Sequence, residues 1–158
     1  MDLKEKLAAA EKLAKSQQEA LERDKREKEL AFRKDQAYRE KNAPVAARQL
    51  MRFIKGEEGQ RIISFLEQVK LSIGLGNVWI PSPWWKIGGN GETAHVFLSG
   101  DGLKVSYSTQ KGEGQVYGSR KGKLSDLVAL CESYKDPYEV LDKIKADASA
   151  KADELLRK

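Results

Sequence analysis

One stretch constrains the fold more than any other: Ala94–Ser108, AHVFLSGDGLKVSYS. Val96 and Leu98 alternate with His95, Phe97 and Ser99. Gly100-Asp101-Gly102 follows, with glycines suited to the positive φ of a tight reversal. Leu103, Val105 and Tyr107 then alternate with Lys104, Ser106 and Ser108. Period-two alternation on both sides of a Gly/Asp turn predicts a β-hairpin with one apolar and one wet face. The sequence reads as helix upstream of the aromatic stretch at Gly74 and again after about Leu124. The apolar face of a small antiparallel sheet must therefore be covered by helices from both sides, an α+β arrangement.

Charge separates the chain into two regions. Charged residues make up 34% of the 158 residues, above the usual quarter or so. Residues 1–41 hold 12 Lys/Arg and 10 Asp/Glu. The predicted organisation is a charged helical arm at 1–41 and an α+β domain at 42–158. The second part is long enough to bury a core without staples.

The arm, Asp2–Lys41, consists almost entirely of strong helix formers and has no Gly or Pro. Glu11/Lys15, Glu22/Arg26, Glu29/Arg33 and Asp35/Arg39 sit at i, i+4 in the favourable order. Leu3, Leu7, Ala10, Ala14, Gln17 and Leu21 follow heptad spacing. The seam lapses at Asp24, Lys28 and Ala31. Three readings fit: a solvated single helix, a coiled coil over Leu3–Leu21, or an arm ordered by a partner. Self-association or docking on a protein through Leu3, Leu7 and Leu21 follows from the latter two.

Asn42-Ala43-Pro44 is expected to end this helix and start another, with Asn42 as cap and Pro44 in the first turn. Ala46, Ala47, Leu50, Met51 and Ile54 mark one face of that second helix. Gly56-Glu57-Glu58-Gly59 reads as a turn. A third helix is expected over Gln60–Ser72, with Ile62, Ile63, Phe65, Leu66, Val69 and Ile73 as a broad apolar face. The pair resembles a helix-turn-helix in outline, but its second helix is too apolar for a groove reader. Val78-Trp79-Ile80 and Trp84-Trp85-Lys86-Ile87 read as short strands, separated by Pro81 and Pro83. Gln115-Val116-Tyr117 reads as a last strand, giving four or five in meander order. Helix returns from Ser125. Asp136-Pro137-Tyr138-Glu139 signals a final helix with Asp136 as cap, and Val140, Leu141, Ile144, Ala148, Ala152 and Leu155 as its inner face.

Catalytic signals are sparse. His95 is the single histidine, and any His-based acid/base pair would have to use it. Cys131 is the single cysteine, which excludes an intrachain disulfide and fits a reducing compartment. It lies on an apolar helical face, as an inert buried thiol does. One His and one Cys far apart do not make a zinc site. Gly118-Ser119-Arg120-Lys121-Gly122-Lys123-Leu124 has a phosphate loop's flavour. Its glycine spacing is one short, and Leu124 stands where Ser/Thr would bind Mg²⁺. No cofactor, metal or enzyme activity is predicted. No apolar run approaches the ~20 residues of a membrane span, and the N-terminus lacks the apolar core of a secretory signal. A cytoplasmic location is the expectation.

Two surfaces remain. The net charge is +5 and the pI about 9.2, which permits an anionic partner. Lys104–Lys123 concentrates Lys104, Lys111, Arg120, Lys121 and Lys123 against a single acid, Glu113, with Tyr107 and Tyr117 interleaved. Basic sheet faces with aromatics hold phosphates and stack bases. Trp84 and Trp85 sit in a Trp/Pro/Gly segment that either caps the core or anchors a protein partner. The expectation is a non-catalytic binding or adaptor protein: the arm associates and the α+β head binds a protein. The alternative is nucleic-acid binding through Lys104–Lys123.

Overall fold

The computed structural model describes residues 2–81, 91–111 and 114–157. Among them run four helices and a four-stranded antiparallel sheet, an α+β fold. The chain divides into two units, Met1–Tyr38 and Arg39–Lys158.

Helix α1 runs without interruption over Leu3–Lys55. The expected break at Asn42-Ala43-Pro44 does not occur, and Pro44 lies inside the helix. A proline there forfeits one backbone hydrogen bond and crowds the carbonyl four residues back, at about 3 kcal/mol. Burial outweighs that cost. Ala43, Ala46, Ala47, Leu50 and Ile54 are all buried, and Leu50 and Ile54 alone contribute roughly 2 kcal/mol each. Asn42 does not cap. Its Oδ1 accepts a hydrogen bond from the Tyr138 hydroxyl at 2.9 Å.

Gly56 alone separates α1 from α2, Glu57–Gln68. The four-residue turn and the helix to Ser72 are thus corrected, and with them the helix-turn-helix outline. Helix α2 ends in a Schellman motif, with Lys70 N–H bonded to Glu67 C=O at 3.2 Å and Leu71 N–H to Leu66 C=O at 2.9 Å. Lys70 takes the left-handed position at φ 52°, where glycine is usual. Ile73, expected on the helix, instead opens β1.

Strands β1 (Ile73–Pro81), β2 (Gly91–Ser99), β3 (Gly102–Lys111) and β4 (Gly114–Lys121) pair in sequence order. The central hairpin turns through Gly100-Asp101, with Ser99 opposite Gly102 and Val96 opposite Val105. Strand β1 bulges between Gly74 and Asn77. There Gly76 adopts φ 107°, and an added Cβ would lie 3.2 Å from the Tyr134 hydroxyl oxygen. That hydroxyl donates to the Leu75 carbonyl at 2.7 Å, fastening the bulge. The expected strand at Trp84–Ile87 lies outside the described residues. Strand β4 is longer than the expected Gln115-Val116-Tyr117 and takes in Gly118–Lys121.

Helices α3 (Leu124–Ser133) and α4 (Glu139–Leu156) follow. The expected cap at Asp136 is corrected: α4 starts at Glu139 with Tyr138 as its N-cap residue, and the Asp136 carboxylate instead accepts the Tyr138 N–H at 3.1 Å in the turn before the helix. On α4, Val140, Ile144 and Ala148 are buried, Leu141 and Ala152 are half-buried, and Leu155 is exposed.

All of these helical faces meet one side of the sheet. Ala94, Val96, Leu98 and Val105 are fully buried there, with Leu66, Leu75, Leu127, Leu130 and Ile144. Cys131 is fully buried too. Burial pushes its thiol pKa up to about 11, as expected of an inert structural cysteine.

Candidate nucleic-acid interface

Alternation fixes the other face of the sheet. With Val96 and Val105 turned into the core, His95, Phe97, Lys104 and Ser106 lie on the opposite side. Register aligns them in rows across the strands. Gly74, Phe97, Lys104 and Lys121 form one row; Asn77, His95, Ser106 and Ser119 form the next; Thr93, Ser108 and Tyr117 lie beyond. His95, Lys104, Tyr117, Ser119 and Lys121 are exposed and Phe97 is half-buried. None of these row positions carries a carboxylate, although the chain has 24 acidic residues.

Lys104 and Lys121 are directly opposed on β3 and β4. Like charges facing across a strand pair are destabilising, and no described carboxylate forms an ion pair with either lysine. The His95 and Phe97 rings stack, with centroids 6.2 Å apart and planes at 23°. Phe97 also lies over the bare backbone of Gly74, with ring carbons 3.6 and 3.9 Å from the position a Cβ would take. Tyr117 is 72% exposed at the far end of the sheet.

The structure divides the residues that the sequence placed together. Lys104, Tyr117 and Lys121 share the open face. Tyr107 does not: it follows Val105 onto the inner face and packs half-buried against the core. Its neighbour across the strands is Gly118, and a Cβ at Gly118 would collide with the Tyr107 ring. Arg120 is likewise on the core-side parity, opposite Val105. Its guanidinium donates to both oxygens of Asp126, at 2.7 and 2.6 Å. Lys123 is exposed at the start of α3, and its backbone N–H donates to Asp126 Oδ2 at 2.7 Å. Lys111 closes β3, but its side chain is outside the described set, as are Trp84 and Trp85. Leu3, Leu7 and Leu21 belong to the first unit and are exposed.

Asp126 is 4% exposed and fills the third position of α3, where a carboxylate reaches back to the preceding backbone. Burial alone would raise its pKa. The Arg120 hydrogen bonds, the Lys123 N–H and the two positive charges outweigh burial and hold it below the ordinary carboxylate value. Arg120 and Asp126 thus form a structural clamp between β4 and α3.

Sequence reasoning put Phe97 and Ser106 on the wet face of the hairpin but named neither of them, nor Ser119, as binding residues, and it weighed His95 only as a catalyst. A signal was available: each shares strand parity or register with Lys104. The face can hold anions through Lys104 and Lys121, offer hydroxyl and amide groups from Ser106, Ser119 and Asn77, and stack planar rings on Phe97 and His95. Among the described residues no three His, Cys, Asp or Glu side chains converge as metal ligands, and no helix is long and apolar enough to cross a membrane.

Fold and face together define an α+β head with helices on one side of a sheet and a basic, aromatic surface on the other. Compared with known proteins, the chain matches no family model, no curated protein and no solved structure.

Proposed function

We propose that this is a non-catalytic binding protein whose open sheet face holds nucleic acid. One observation carries the reading: on the described rows of this face, which hold no carboxylate, two lysines oppose each other beside stacked aromatic rings. Lys104–Lys121 repulsion costs a few tenths of a kcal/mol in the free protein. A bound phosphate turns that cost into attraction. Fluorescence anisotropy against a labelled mixed-sequence oligonucleotide, at about 50 and 200 mM salt, tests this. Two phosphate contacts lose roughly tenfold in affinity over that range. The K104Q/K121Q variant should bind weakly and lose most of its salt dependence. Wild-type protein that does not bind at the lower salt retires the reading.

A second reading, a protein-binding adaptor, is favoured by the arm. Leu3, Leu7, Leu13 and Leu21 are all more than half exposed. A partner helix or a second copy of the chain would remove that apolar surface from water. Sedimentation equilibrium of wild-type and L7E/L21E protein separates the cases: a second copy makes the mass depend on those leucines.

A further inference from the structure

Resting on the nucleic-acid reading, we infer that the open face selects single strands: a phosphate seats between Lys104 and Lys121 while bases stack on Phe97 and Tyr117.

The rows set the geometry. Phe97, Lys104 and Lys121 lie side by side on β2, β3 and β4, so the aromatic ring adjoins the lysine pair. Neighbouring strands are about 4.8 Å apart. Tyr117 lies four residues along β4 from Lys121, about 13 Å at the usual rise. Between the two ends lie the hydroxyls of Ser106 and Ser119, opposed in register, with Ser108 opposite Tyr117.

The placement of Phe97 is informative. Most apolar side chains on β2 and β3 turn inward, whereas Phe97 lies on the wet face and is half-buried only by its neighbours. Packing against Gly74 and stacking with His95 hold the ring in place. A preordered ring loses little freedom when a base lies on it.

A duplex cannot use this platform. Its bases are paired and stacked inward, so it offers phosphates and groove edges but no free base face to stack on an aromatic ring. A single strand offers both phosphates and unstacked base faces. The two substrates therefore share the lysines and differ in the aromatics.

Anisotropy titrations of one labelled oligonucleotide, single-stranded and annealed to its complement, separate these contributions. The variants are F97L, Y117S and K104Q/K121Q, each checked for a wild-type thermal transition. F97L keeps an apolar cover over Gly74, and Y117S sits where the side chain is 72% exposed, so at least one variant retains the fold. Wild-type protein should prefer the single strand. F97L and Y117S should each weaken single-strand binding about fivefold or more, with duplex affinity and salt slope unchanged. K104Q/K121Q should weaken both substrates and flatten the salt slope. Equal affinity for the two forms, or aromatic variants that bind single strands like wild type, overturns the inference. If K104Q/K121Q still loses affinity, the nucleic-acid reading stands as phosphate contact alone. Absence of binding to either form at low salt refutes both.

Discussion

Arg120 reaches from the last strand of the meander to Asp126 with two short hydrogen bonds, and so locks β4 to the first turn of α3. Arg120 is about one-third exposed, whereas Asp126 is almost sealed. Removing the arginine leaves a buried carboxylate with only the Lys123 N–H. Breaking a buried pair in this way costs about 3 kcal/mol or more. R120L should show that loss in urea denaturation at neutral pH, with the slope unchanged.

The same pair gives the fold an acid limb. Asp126 has a lowered pKa in the folded protein, so its ionised form is favoured by folding. Its contribution is complete above the unfolded carboxylate value near 3.8. It is lost as pH falls through that value and then through the lower folded one. Wild-type stability should therefore drop below about pH 4. D126N should start lower at pH 7 and show a shallower fall. Denaturation midpoints from pH 7 to pH 3 measure both slopes.

Lys104 and Lys121 predict the opposite sign for stability and binding. Neutralising either relieves a cross-strand repulsion, so K121Q should be as stable as wild type or better by a few tenths of a kcal/mol. The same variant should bind nucleic acid less tightly. A thermal melt paired with a titration reads both effects. Lower stability with unchanged binding would assign Lys121 to the fold.

Tyr107 and Gly118 should prove energetically coupled. A side chain at Gly118 collides with the Tyr107 ring, and overpacking of this kind costs about 1–3 kcal/mol. G118A should be destabilised by that order, and Y107L/G118A should recover part of it. A double-mutant cycle gives the coupling directly.

Pro44 makes the most counterintuitive expectation. Because α1 passes through it unbroken, alanine there restores a helical hydrogen bond and removes a steric clash. P44A should stabilise the second unit by up to about 3 kcal/mol, read as a raised denaturation midpoint.

Legibility in the sequence depended on whether local chemistry and tertiary packing agreed. The hairpin was legible because Val96, Leu98, Leu103 and Val105 alternate strictly and Gly100-Asp101-Gly102 leaves one way to turn. The final helix was legible from Asp136-Pro137-Tyr138-Glu139, but its cap was not: Asp136 turns the chain by accepting the Tyr138 N–H, and the helix starts only at Glu139. Pro44 was not, because the burial that overrides it comes from residues distant in sequence. Lys70 was not, because a lysine in the left-handed position carries no compositional mark, and Ile73 then continued the helical spacing of Val69. The candidate face was legible only in part. Lys104, Lys121 and Tyr117 could be recognised by type, but Arg120 resembles a surface cation until its parity places it beside Val105 and Asp126.

The strand order has a kinetic consequence. Each strand pairs only with its sequence neighbours, so the sheet can grow by successive hairpin closure, which keeps loop-closure entropy small. Its inner face is another matter. Val140 and Ile144 of α4 are fully buried in the same core as Val96 and Val105, yet they follow the whole sheet in the chain. During synthesis the meander can therefore zip up while its apolar side still lacks one of its covers. Until α4 emerges, that exposed side is the species most prone to aggregate. A chain stalled before Glu139 should engage chaperones that the finished protein does not need.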